Sequence, residues 1–214
     1  MNADQAAQPE APAEPAKRLQ ILEGARVVFR ARGYDGASME MIAREAGVSK
    51  GTLYVYFPNK EELFKALIIW ERADQAERGL MLTQNPAPVR EVLYRTGLAY
   101  VSKMCQPERV STFRMVVGAA EQFPEFGALL YEAGPKRGTD KLAAFFKTRI
   151  ATGELKTDCD VEMAAGQFFS LCVSQLLRRI LLNVEGSPAP EEIERHVASA
   201  VDVFLAAYGT EPQR

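Results

Sequence analysis

The sequence predicts an all-α protein, with an N-terminal three-helix domain built around a helix-turn-helix and a C-terminal helical bundle, about nine helices in total. Three observations predict it. Apolar side chains recur at three- and four-residue spacing in nearly every segment, as the face of an amphipathic helix requires. Sustained alternation of apolar and polar residues and Asn-Gly hairpin turns are both missing. Proline and glycine punctuate the chain at helix-length intervals.

The bulk composition bounds the rest. A chain of 214 residues, 47% hydrophobic and 25% charged, can bury a sizeable core as one or two domains. The formal net charge of −2 hides a segregation: residues 17–65 carry nine Lys and Arg against six Asp and Glu, whereas 66–214 are acidic by two. A mildly basic lobe on an acidic body suits a phosphate-facing module attached to a partner-binding domain. Cys105, Cys159 and Cys172 are odd in number, widely spaced and form no C-x-x-C pair, which points to reduced thiols in a cytoplasmic setting. No secretory signal opens the sequence, and the apolar stretch Val161 to Leu182 is interrupted by Gln167, Gln175, Arg178 and Arg179, too costly for an isolated membrane span.

In chain order, residues 1–16 are Ala, Pro, Glu and Gln with almost no large apolar side chain, and are expected to be a disordered tail. A helix follows from Lys17, with Ile21, Leu22, Ala25, Val28 and Phe29 on one face and Gly33 as its stop. Residues 38–63, SMEMIAREAGVSKGTLYVYFPNKEEL, compress two short helices and a turn. Ser38 is placed to cap the first and Ser49 the second. Ile42 and Ala46 face inward, and Ala43 is small where a second helix crosses. Gly47 supplies a positive φ at the helix end, and Val48 plugs the core beneath the turn. Leu53 and Phe57 anchor the second helix, leaving Lys50, Gly51, Thr52, Tyr54 and Tyr56 to face a groove: a lysine can donate to guanine, a threonine can meet a base or a thymine methyl. Further helices are expected over 60–82, 87–104, 107–122, 125–133, 136–152, 160–184 and 190–208, broken at Pro86/Pro88, Pro107, Pro124, Pro135, Gly153 and Ser187-Pro188.

The pattern Gly33, Ser38, Ile42-Ala43, Ala46-Gly47-Val48-Ser49, Gly51, Leu53-Tyr54, Tyr56-Phe57, Lys60 and Leu63 closely resembles the tetracycline-repressor (TetR) family of bacterial regulators. The motif covers 17–65; Val116 to Gly134 and the turn Ala151 to Leu155 resemble the AefR/AcrR-like branch. The resemblance implies a transcription regulator, a ligand-responsive repressor that binds a palindromic double-stranded operator as a homodimer, with 17–65 as DNA-binding domain and 66–214 as ligand-binding and dimerisation domain. It implies that Ser38, Tyr54, Tyr56 and Lys60 contact phosphates, that Lys50, Gly51 and Thr52 face bases with Ser49 beside them, and that Lys17 and Arg18 clamp a further phosphate. Glu40 departs from that picture, since an acid beside the DNA backbone is repelled unless it caps its helix or reads a cytosine amino group.

For the body, Trp70, Met104, Phe113, Met115, Phe123 and Phe168 are the expected lining of a small, largely apolar effector's pocket, with Arg114, Glu121 and Arg178 as candidates to orient a polar head. The resemblance implies pairing through the last two helices, and apolar residues on several faces of 160–184 call for more neighbours than one core readily provides, so Phe169, Cys172, Leu176, Ile180, Val197, Val201, Phe204 and Tyr208 are the expected dimer interface, with an internal core helix as the alternative.

Other classes fit less well. His196 is the only histidine, and no G-x-S-x-G, H-E-x-x-H or paired-cysteine metal pattern occurs, so neither an enzyme nor a cofactor or metal is expected. Gly134 to Lys141 lacks the ending of a phosphate loop and is expected to be a loop and helix start. The alternative is a helical small-molecule-binding or scaffold protein without DNA binding.

Overall fold

The computed structural model describes residues 14–78 and 86–210. Residues 1–13 of the expected tail and residues 79–82 of the expected fourth helix lie outside them. The chain divides into two compact units, Met1–Leu67 and Ile68–Arg214.

In the first unit, α1 (Glu14–Gly36) begins three residues earlier than the composition suggests and leaves helical geometry at Gly33, where φ is 71°. That is a conformation L side chains rarely adopt and glycine tolerates. Short helices α2 (Met39–Glu45) and α3 (Lys50–Tyr56) follow, then α4 (Lys60–Arg78), which runs on into the second unit. Ile21, Leu22, Ala25 and Phe29 of α1 are buried with Ile42, Leu53, Leu63 and Phe64. Phe29, Tyr34 and Phe64 form a ring cluster with centroids 4.9–6.0 Å apart. Gly24 permits the close crossing of α1 and the end of α2: a Cβ there would lie 2.7 Å from the Ala46 Cβ.

The second unit contains α5 (Val89–Met104), α6 (Pro107–Ala119), α7 (Pro124–Tyr131), α8 (Arg137–Ala151), α9 (Val161–Leu181) and α10 (Pro190–Tyr208). Its core is shared by α5, α8, α9 and α10, and includes Leu93, Val101, Leu142, Phe145, Phe146, Phe168, Leu176, Val197 and Phe204. Gly97 lets α5 approach closely, since its Cβ would stand 2.6 Å from Val197 and 3.2 Å from the Cys172 sulfur. Burial pushes the thiols of Cys105 and Cys172 up to about 11 and about 12, so both are held as thiols.

Two further features differ from the sequence expectation. Pro135 does not interrupt the chain: Glu132–Lys136 form a π-helical turn joining α7 to α8, so the expected loop before α8 is helical. A proline cannot donate to the preceding turn and its ring collides with the carbonyl four residues back; the wider π turn accommodates both. Helix α9 is bent at Ser174, where φ is 28° and ψ −122°.

The expected dimer-seam residues are placed differently. Cys172, Leu176, Ile180, Val197, Val201 and Phe204 are all buried within the single chain. Phe169 packs its ring 4.4 Å from Tyr100, and the Tyr208 ring lies 4.9 Å from Phe204 while its hydroxyl bonds to Gln167. Much of the apolar coverage of α9 is met by α5, α8 and α10 of its own chain, where six of the expected seam residues are buried; Phe169 and Tyr208 pack against that core and remain half-buried. The outward apolar residues of the last two helices are instead Met163, Leu182 just beyond α9, and Val203.

Candidate nucleic-acid interface

The turn between α2 and α3 is fixed by three local devices. Ser38 caps α2 by accepting from the Met41 N–H at 3.2 Å. At the other end, Gly47 takes φ 63°, the Val48 N–H donates to the Ala43 carbonyl (3.0 Å) and the Gly47 N–H to that of Arg44 (3.2 Å). This paired arrangement satisfies the terminal carbonyls and turns the chain sharply. Ser49 then caps α3, accepting from the Thr52 N–H at 3.0 Å, and the two hydroxyls lie 2.8 Å apart. A fourth tie comes from outside the motif: the Gln20 amide donates to the Ala46 carbonyl at 2.6 Å, fastening α1 to the turn.

With the turn fixed, Leu53 and Phe57 are buried and hold α3 by one face. Lys50, Gly51 and Tyr54 are exposed on the other, and Thr52 and Tyr56 are half-buried at its edge. The expected base-facing and stacking residues therefore share one presented surface. Sequence reasoning passed over Val55, which is 82% exposed. It lies four residues after Gly51 and three after Thr52, so helical spacing places it on their face, and an exposed β-branched residue there suits a thymine methyl.

Several charged residues have duties within the chain. The Lys60 ammonium donates to the Tyr34 and Ala37 carbonyls, at 2.8 and 3.1 Å, and sits 4.4 Å from the Tyr34 ring centroid. Two of its three donors hold the end of α1. Lys17 donates to Gln20 at 2.9 Å and so supports the α1 tie, while the Arg18 guanidinium lies 5.3 Å from the Phe57 ring centroid. Ser38 and Ser49 likewise use their oxygens as caps; the Ser38 hydroxyl hydrogen is left to donate elsewhere, while the Ser49 hydroxyl shares a hydrogen bond with that of Thr52.

In the second unit the expected pocket residues differ in burial. Phe168 is fully buried between Phe204 and Phe169, with centroids at 5.5 and 5.8 Å, the position of a packing residue. Phe123 stacks on Phe126 at 5.1 Å; Trp70, Phe113 and Met115 are half-buried, and Met104 is buried. Arg114, a candidate for a ligand's head, instead donates to the Leu181 carbonyl at 3.0 Å and to the Ile180 carbonyl, capping the end of α9. Glu121 and Arg178 are exposed.

The fold and this presented helix define a helix-turn-helix DNA-binding module on an all-helical body. Residues 21–67 match the bacterial regulatory proteins of the tetR family, and residues 91–210 match the AefR-like transcriptional repressor C-terminal domain. The chain belongs to the TetR family and is a transcriptional regulator, not an enzyme. It is 25% identical over 162 residues to the HTH-type transcriptional regulator YhgD of Bacillus subtilis, covering 74% of this chain and 81% of the relative. Its similarity to the HTH-type transcriptional repressor AcnR of Corynebacterium diphtheriae is 41% over 95 residues, covering 44% of this chain and 43% of that one. Among solved structures, a TetR-family regulator from Mesorhizobium loti superposes with a TM-score of 0.84 at 27% identity, over 94% of this chain and all of the other. The flavonoid-responsive regulator FrrA superposes with a TM-score of 0.73 at 31% identity, with the same coverage. Among the described residues no helix is long and apolar enough to cross a membrane.

Proposed function

We propose that this protein is a cytoplasmic, homodimeric repressor that holds a palindromic operator and releases it when a small, largely apolar effector enters the body. The observation that carries this reading is α3 itself: a helix anchored by Leu53 and Phe57 and presenting Lys50, Gly51, Tyr54 and Val55 outward. Such a helix enters the major groove, and two of them related by a two-fold axis read half-sites whose centres lie about 34–36 Å apart. Lys50, Gly51, Thr52 and Val55 meet bases; Tyr54, Tyr56 and the hydroxyls of Ser38 and Ser49 meet the backbone.

Support for an effector comes from FrrA, a flavonoid-responsive relative in structure. The half-buried Trp70, Phe113, Met115 and Phe123, with the buried Met104, supply the soft surface such a molecule needs. The homodimer is assigned to the outward face of the last two helices, where Met163 and Val203 are 59% and 51% exposed. A ligand that favours one spacing of the paired recognition helices shifts the dimer between competent and incompetent states through its differential affinity.

Selection from a pool of random duplexes tests the reading. The protein should enrich a palindrome whose half-site centres lie about one helical turn apart. Recovery of no common sequence at low salt contradicts it.

A further inference from the structure

One charged side chain of the second unit has no duty in the DNA-binding account. Arg72, on α4, is only 3% exposed. Its guanidinium meets the Met104 thioether, Nη1 to Sδ at 3.9 Å, and its buried Nε has no hydrogen-bond partner. A guanidinium carries five donors, and a thioether is a weak acceptor for one of them. Burial under such conditions opposes the charge, and an anion is the group that would relieve it.

The surroundings accentuate the deficit. Arg109, near the start of α6, is 6% exposed and donates to the Glu71 backbone carbonyl at 2.9 Å. Burial first, and then the like charge of Arg109, bring the Arg72 pKa down to about 10, with the nearby Glu71 and Tyr100 pulling the other way. Two guanidiniums therefore stand beside a single carboxylate, that of Glu71. An apolar surface adjoins it: Tyr100, close enough to Arg72 for each to shift the other's pKa, has its ring 4.4 Å from that of Phe169, and Met104 is buried alongside.

We propose that Arg72 anchors the carboxylate of the effector, which makes the inducing molecule a small organic acid with an aromatic or similarly apolar body. This rests on the reading that the body takes an effector, and it names that effector's class. A carboxylate matches the planar fork of a guanidinium and forms two parallel charge-assisted hydrogen bonds with it. A neutral ligand would leave the buried charge as it stands.

Thermal melting of the full chain with benzoate and with its neutral isostere benzamide, at matched ionic strength, tests the assignment. Benzoate at several times its dissociation constant should raise the melting temperature by about 2–4 °C and benzamide by much less. Arg72→Met should abolish that preference and, by removing a buried charge whose donors are poorly met, leave the ligand-free melting temperature equal or higher. Benzamide matching benzoate on the unmutated protein overturns the proposal. So does a lower ligand-free melting temperature in Arg72→Met, since that marks an arginine already paired inside the fold. Operator binding by the unmutated protein, followed separately by gel shift, reports on the regulator reading independently of the acid preference.

Discussion

Glu154 shows how a single residue in a turn can hold an element pair together. Its carboxylate accepts from the Val89 N–H at 2.8 Å, at the start of α5, and from the Arg149 guanidinium at 2.6 Å, in the last turn of α8. Partial burial pushes its pKa up, but the Val89 N–H and the Arg149 guanidinium together outweigh that and hold it below its ordinary 4.5. A folded-state pKa below the unfolded one means stability that is present above the unfolded value and lost as the pH falls through the folded one. Glu154→Gln should cost about 1–3 kcal/mol at pH 7, and the gap from the unmutated protein should narrow on acidification below about pH 4.5. Urea unfolding at both pH values checks it; a gap that stays constant would show that ionisation of Glu154 does not matter.

At this scale the sequence was readable where a residue's job is local. Ser38, Gly47 and Ser49 do what their types and spacing require, because capping and positive φ are decided within a few residues. The partners that Lys60, Arg72 and Arg114 find within the chain were not readable, because they are 23, 32 and 67 residues away.

Among the elements, helix existence followed from periodicity, whereas what covers each helix did not. The 3.6-residue pattern of α9 and α10 reports which residues are apolar, and α5 and α8 of the same chain were invisible to it as partners. That is why Cys172, Leu176 and Val197 were expected at a seam between copies and lie inside one protomer. The π turn at Pro135 escaped for a related reason, since a proline signals a conflict with α geometry and not how the backbone resolves it.

The same packing sets a sharp test of the α5–α10 crossing. Gly97→Ala would drive a Cβ to within 2.6 Å of Val197 and should destabilise by about 1–3 kcal/mol in urea unfolding. Val197→Ala in the same molecule should recover part of that loss, because contacting residues couple. Strict additivity of the two changes would show that the glycine is not needed for the close approach.

For the molecule as a whole, the proposed function depends on how much of α3 the surface presents and on the proposed pairing of two copies of it. The basic excess of residues 17–65 supplies a phosphate-directed attraction that is independent of sequence, while discrimination between sequences must come from side chains at the base edges. These contributions respond differently to mutation, which makes the account testable with one series of titrations.

The decisive measurement is the affinity of the unmutated protein, Lys50→Ala and Thr52→Ala for the selected palindrome and for a scrambled duplex at one salt concentration. Each substitution should cost about 1–3 kcal/mol on the palindrome and much less on the scrambled duplex. Equal losses on both DNAs, or no loss on either, would mean that α3 does not read the bases.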